Sequence, residues 1–294
     1  MKDFFFSGCQ NAQIHCLEFE PKTKKIKGVV VVVHGMQEHV YRYEHFASFL
    51  AENGYVVYVP ELRGHGKNIE QNIPGFCQDD LFLTALEDCK ILTKSIKTAV
   101  PDLPIFVLGH SFGSFIAQRW ILENENVDKF ILSGSTYTKT LLMAMGGVVA
   151  NLSCFFKGEE SEAKLVEAMS IRGYGKKFKN KNWLSRDEIV WEKYQKDALC
   201  GLVFPNGFYR SMFRNVRKNY KGLSRVRKVP LLLIGGTEDP VSGFSKGLKR
   251  LFEEYEKCGF NVELKLYPQS RHEVLNEVDK EVVYSDVLMF LKEV

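Results

Sequence analysis

A chain of 294 residues that is 45% hydrophobic and 26% charged, with a formal charge of only +4, has the makeup of an ordinary globule. This composition excludes a disordered chain and gives no ground for a nucleic-acid partner. No apolar run reaches the about 18 residues that span a bilayer, and the opening Met-Lys-Asp-Phe-Phe-Phe-Ser-Gly is too short for a secretory signal, so a cytoplasmic protein without a transmembrane segment is expected.

The seven cysteines, odd in number and without a C-x-x-C pair, fit neither a disulfide framework nor a zinc knuckle. Cys9 and Cys16 could face each other across an N-terminal hairpin, but reduced thiols are the expectation. Charge is unevenly spread. Residues 171–228 hold 16 Lys and Arg against 4 Asp and Glu, a local +12 that leaves the rest of the chain at −8.

In chain order, Phe4 to Phe6 and Ile14 to Phe19 read as a two-stranded hairpin around Ser-Gly-Cys-Gln-Asn-Ala. Val29 to Val33, an unbroken β-branched run, reads as a strand buried on both faces. It ends at His34-Gly35-Met36-Gln37-Glu38-His39. A helical pattern from Tyr41 to Asn53, a strand from Tyr55 to Val59, the glycine-punctuated loop Glu61-Leu62-Arg63-Gly64-His65-Gly66 and a helix from Asp79 to Thr98 follow.

Ile105 to Leu108 is a further strand. It runs into Gly109-His110-Ser111-Phe112-Gly113, after which apolar residues recur at helical spacing. Strand, sharp turn and helix around G-x-S-x-G describe a nucleophile elbow, in which a strained serine sits over a helix N-terminus and small residues two before and two after it let strand and helix approach.

Lys129 to Leu132 is a short strand, and then the alternation lapses. From Gly134 to about Lys228 there are only apolar and basic helical patches. Strands resume at Leu231 to Ile234 and Val262 to Leu266, with helices expected over Val241 to Cys258 and Val278 to Val294. Alternating strands and helices imply an α/β fold with a mostly parallel central sheet flanked by helices, its active groups at the carboxyl ends of the strands. The reading divides the chain into a core, 1–133 with 229–294, and a helical lid insertion, 134–228.

A serine nucleophile needs a base, and the base an orienting acid. Loops after later strands offer them in the order Ser111, Asp239, His272, with Glu238 as the competing acid. Asp239-Pro240 also reads as a helix start, and both roles can hold together. The backbone N–H groups of Met36 and Phe112 are the expected donors to an oxyanion. Gly35, His110, Leu141 and Met145 are expected along the substrate's path. No metal or cofactor is called for, and Gly64-His65-Gly66-Lys67 lacks the spacing of a phosphate loop.

His34-Gly35-x-x-Glu38-His39-x-x-Arg42-Tyr43, Arg63-Gly64-His65-Gly66, Gly109-His110-Ser111-Phe112-Gly113, Asp239-Pro240-Val241 and Arg271-His272-Glu273 together resemble the serine-aminopeptidase-type α/β-hydrolases, in particular their monoacylglycerol lipase and lysophospholipase branch. The resemblance runs nearly end to end and is weakest in the middle. It implies the α/β-hydrolase fold and an esterase acting through an acyl-enzyme on a small amphiphilic ester, a monoacylglycerol or lysophospholipid. Glu61 departs from the family's usual Asp, which should alter a loop contact and leave the chemistry alone.

Two features of the insertion bear on substrate. Leu141 to Phe156 has only Asn151 and Ser153 as clearly polar members, which suits either a helix packed on the core or a lid wall facing an acyl chain. Lys176, Lys177, Lys179, Lys181, Arg210, Arg214, Arg217 and Lys218 read as solvated helix faces or as a basic surface drawing anionic lipid to the mouth. Three other readings stay open: an aminopeptidase, a thioesterase, and a binding protein on the same scaffold that has lost catalysis. Elbow Ser111 argues against haloalkane or epoxide chemistry, which uses Asp there.

Overall fold

The computed structural model describes residues 1–23, 25–169, 171–178 and 180–293. Its centre is an eight-stranded sheet in the order β1-β2-β4-β3-β5-β6-β7-β8. The strands are β1 (Lys2–Ser7), β2 (Gln13–Phe19), β3 (Gly28–Val33), β4 (Tyr55–Pro60), β5 (Ile105–His110), β6 (Lys129–Ser133), β7 (Leu231–Gly236) and β8 (Val262–Tyr267). The first two form the antiparallel edge, and β2 also meets β4 antiparallel; from β4 to β8 every pairing is parallel.

The valine run explains why β3 lies inside. Its register sets Val31 beside Tyr58 on one side and Val107 on the other. All six of its residues are buried. Alternate side chains feed two cores. Val29, Val31 and Val33 pack with α2 (Leu81–Ala99), α3 (Phe112–Leu122) and α9 (Lys246–Lys257). Val30 and Val32 pack with α1 (Glu44–Glu52) and α10 (Lys280–Lys292). The result is a three-layer α/β/α core whose strands β3, β5, β6, β7 and β8 all end at one edge.

Between β6 and β7 the chain adds α4 (Leu141–Lys157), α5 (Lys164–Met169), α6 (Ile171–Gly175), α7 (Glu188–Lys196) and α8 (Asn206–Val216). Helix α8 packs on α4, α2 and α3. Asp80 fastens it: this residue caps α2 through the Leu83 N–H and accepts hydrogen bonds from Ser211, Arg214 and Asn215 of α8. The expected helix over Val241 to Cys258 starts later, at Lys246, because Gly243, Phe244 and Ser245 take left-handed backbone angles in a turn that closes on Asp239. The two N-terminal cysteines do not face each other; all seven thiols are free. Among the described residues no helix is long and apolar enough to cross a membrane.

Candidate active site

Between the last residue of β5 and the first of α3 stands Ser111, with φ 50° and ψ −115°. Two close approaches hold it there. A Cβ on Gly109 would lie 2.4 Å from the Gly113 carbonyl oxygen, and one on Gly113 would lie 2.1 Å from the Val33 carbonyl oxygen. Glycine at both positions lets α3 sit against β5 and β3, and the turn projects the serine at the sheet edge.

His272, in the loop after β8, brings Nε2 to 2.9 Å from Ser111 Oγ. Its Nδ1 lies 3.0 Å from Asp239 Oδ1, in the loop after β7. The three groups, distant along the chain, form one hydrogen-bonded line. The Asp239 oxygen also accepts the Val241 N–H at 2.9 Å, so the residue closes the local turn and orients the imidazole at once. Burial alone would lower the His272 pKa, but the charge and hydrogen bond of Asp239 together with the charges of Glu273 and Glu38 outweigh it, and the net shift is upward. His110 is the contrast: burial, then the neighbouring His272, brings it down to about 4 and keeps it neutral.

The loop after β3 is built around Glu38. Its Oε1 accepts the Gly35 N–H at 2.5 Å and the Tyr43 hydroxyl at 2.8 Å, while Oε2 takes Arg42 at 2.6 Å. Arg42 then reaches Glu273, next to His272, with two hydrogen bonds of 2.7 and 2.6 Å. Burial would raise the Glu38 pKa, yet the Arg42 guanidinium and the nearby histidines hold it at about 2. This ionic bridge ties the β3 loop to the His272 loop. Phe112 opens α3, so its N–H has no partner within the helix.

Ser111 and His272 open into a cavity of about 80 Å³ that Gly35, Met36 and His110 also line. Leu141 and Met145 do not line it. They are 77% and 53% exposed on the outer face of α4, and Met143, two residues from each and so about half a turn round the helix, faces inward in their place. The outward turn follows from packing: the inner face of α4 carries Gly146, which lies against the Phe213 ring of α8. Arg210 and Arg214 do not form a free basic face, since Arg210 pairs with Glu159 and Arg214 with Asp80. Lys177 lies 4.6 Å from the Phe244 ring centroid, and Lys179 lies outside the described residues.

Several contributors escaped the sequence reading. Trp183 and Tyr194 line the cavity, and Gly134, after β6, is pressed against both histidine rings. Glu61, the departure from the family pattern, bonds His15 Nδ1 at 2.9 Å and the Val40 N–H at 3.2 Å, away from the serine. Among the described residues, donor atoms of His39, Asp197 and Cys200 converge within 4.8 Å. A 2.7 Å hydrogen bond between His39 and Asp197 accounts for that approach, and the charge of Arg42 acts on Cys200, so no cation is assigned there.

A family model described as serine aminopeptidase, S33, matches residues 24–279. A monoacylglycerol lipase of Mycolicibacterium smegmatis is 27% identical, over 97% of this chain and 95% of that protein. A monoglyceride lipase homolog of Monkeypox virus is 26% identical, over 92% of this chain and 90% of its own. Among solved structures, a thermostable carboxyl esterase from Bacillus coagulans in complex with glycerol superposes with a TM-score of 0.86 at 24% identity, covering 99% of this chain and 97% of that one.

Proposed function

The chain belongs to the serine aminopeptidase (S33) family and is a serine ester hydrolase of the α/β-hydrolase fold, and from that premise we propose that it cleaves neutral monoacylglycerols through an acyl-enzyme on Ser111. The observation that carries this reading is the buried line from Ser111 through His272 to Asp239 beneath a strained turn. Ser111 attacks the ester carbonyl while His272 Nε2 takes its proton, and Asp239 stabilises the imidazolium that results. The N–H groups of Met36 and Phe112 receive the developing oxyanion, each worth about 2.7 to 4 kcal/mol of barrier. His272 returns the proton to the leaving alcohol, and water then releases the acid by the same steps.

The cavity favours a neutral headgroup. Among its described lining residues Arg42 is the sole Lys or Arg, and both of its carboxylate partners already hold it. A phosphate finds no uncommitted cation there. A free peptide amine fares no better, because Glu38 and Glu273 are themselves engaged by Arg42. Similarity to lipases that act on monoacylglycerol points the same way.

Outside, Leu141, Leu142, Met145, Val148, Leu152, Phe155 and Phe156 form an exposed apolar stripe along α4, with Lys139 and Lys157 exposed at its ends. Such a helix lies in a lipid interface, its lysines reaching anionic headgroups. On this reading the segment 134–228 is a lid that docks on lipid. The free thiols suit a reducing, cytoplasmic setting. Turnover of a monoacylglycerol, a lysophosphatidate and proline β-naphthylamide by the intact protein, with Ser111→Ala as control, tests the proposal. Preference for the first is expected; preference for the phosphate ester or the amide overturns it.

A further inference from the structure

Two aromatic rings lie against the imidazole of His272: His110, its ring centroid 4.9 Å away and tilted by 49°, and Trp183, 5.1 Å away and tilted by 35°. Trp183 belongs to the chain between α6 and α7, and that stretch is fastened to the His272 loop along its length. The His272 N–H donates to the Trp183 carbonyl and the Glu273 N–H to the Leu184 carbonyl, at 3.4 and 2.7 Å. Arg271 donates to the Asn182 and Ser185 carbonyls, and Arg186 pairs with Glu277 and Asp279. Tyr174 packs against the indole in turn, centroids 5.3 Å apart and planes tilted by 55°. Residues 182–186 are therefore a strap built onto the site, in contrast to the exposed face of α4.

We propose that Trp183 is a positioning residue for the reaction: its indole face holds the His272 ring on the line from Ser111 to Asp239 and favours that ring when it carries a proton. The inference rests on the triad reading above. A π-face attracts a cation within about 6 Å of its centroid, most strongly for indole. That attraction is absent while the imidazole is neutral and appears as it takes the serine's proton, so it acts on the transition state more than on the resting enzyme. Other groups facing or acting on the ring are Ser111, Asp239 and neutral His110, with the carboxylates of Glu273 and Glu38 acting through charge. All of these groups remain in a Trp183 variant, so a change between wild type and variant reads the indole.

The test is the pH dependence of kcat/KM for a short soluble ester, with wild type, Trp183→Phe and Trp183→Leu compared and folding checked by thermal midpoint. Loss of the π-face destabilises imidazolium, so in Trp183→Leu the acidic limb should move down by about half to one pH unit. The kcat plateau should fall about fivefold with KM nearly unchanged, and Trp183→Phe, which keeps a weaker face, should recover most of both. An acidic limb that stays in place in folded Trp183→Leu, or a loss confined to KM, overturns the inference. Fluorophosphonate labelling of Ser111 in wild type and its loss in His272→Gln are measured first. If labelling fails, the triad reading falls; if it succeeds and the limb does not move, the role of Trp183 alone falls.

Discussion

Gly134 offers a perturbation whose consequence is set by distances already in the site. It follows β6 with φ +57°, and a Cβ there would stand 2.9 Å from His272 Cε1, 3.1 Å from His272 Nδ1 and 3.0 Å from His110 Cε1. Ordinary carbon contacts begin near 3.4 Å or more, so Gly134→Ala pushes the His272 ring by about half an ångström or forces the β6 loop away. Since a misplacement of about 1 Å can cost about 100-fold, a tenfold fall in kcat is expected, with KM little changed because the alanine methyl meets the base and not the substrate. The left-handed angle adds about 1 to 2 kcal/mol of destabilisation, read as a lower thermal midpoint. Steady-state kinetics on a soluble p-nitrophenyl ester, with the rate of fluorophosphonate labelling in parallel, reads both effects. A folded variant with kcat within twofold of wild type would show that the imidazole need not stay where the structure holds it.

Asp239→Asn should lower kcat by about 10⁴, because an amide nitrogen turned to His272 imposes the wrong tautomer, and since one Asp239 oxygen serves both His272 and the Val241 N–H, that turn also gives up the Val241 hydrogen bond; unchanged kcat would move the orienting role elsewhere. Stability should peak near pH 6.5. Above that value protonated His272, with its raised pKa, is lost as pH rises. Below it His110, held at about 4, binds its proton more readily in the unfolded chain, so stability falls as pH drops from 6.5 towards 4. Glu38, held at about 2, adds a further loss as pH falls from 4.5 towards 2. A thermal midpoint that rises as pH is lowered from 6.5 to 4 would contradict that assignment of protons. Phe155→Ser with Phe156→Ser, at 81% and 76% exposure, should weaken binding to lipid vesicles by roughly tenfold or more and leave a soluble short-chain ester unaffected; equal vesicle binding would remove α4 from the interface.

The central strands β3, β4, β5 and β7 were legible because they are nearly pure apolar runs whose burial on two faces leaves little else for them to be. Asp239 and His272 could be found for the same reason: a parallel sheet fixes which loops share an edge. The insertion was harder. Apolar residues occur all round α4, so periodicity cannot tell its outward-facing side from its inner side, and the expectation for Leu141 and Met145 fell on the wrong one. Trp183 sits in a stretch with no period at all, among Lys181, Asn182 and Ser185, and its value comes from a strap closed by long-range bonds. Gly134 gave no signal beyond being a glycine after a strand. The late start of α9 was hidden because the turn that delays it is built by Phe244 and Ser245 at left-handed angles that neither residue type favours.

The proposed chemistry depends on Ser111 carrying the acyl group. Mass spectrometry of acid-quenched enzyme during turnover of a monoacylglycerol should find the acyl mass on the peptide containing Ser111, and Ser111→Ala should lose both the adduct and about 10⁶ of the rate. An acyl adduct on any other residue, or turnover that survives in Ser111→Ala, would contradict the account.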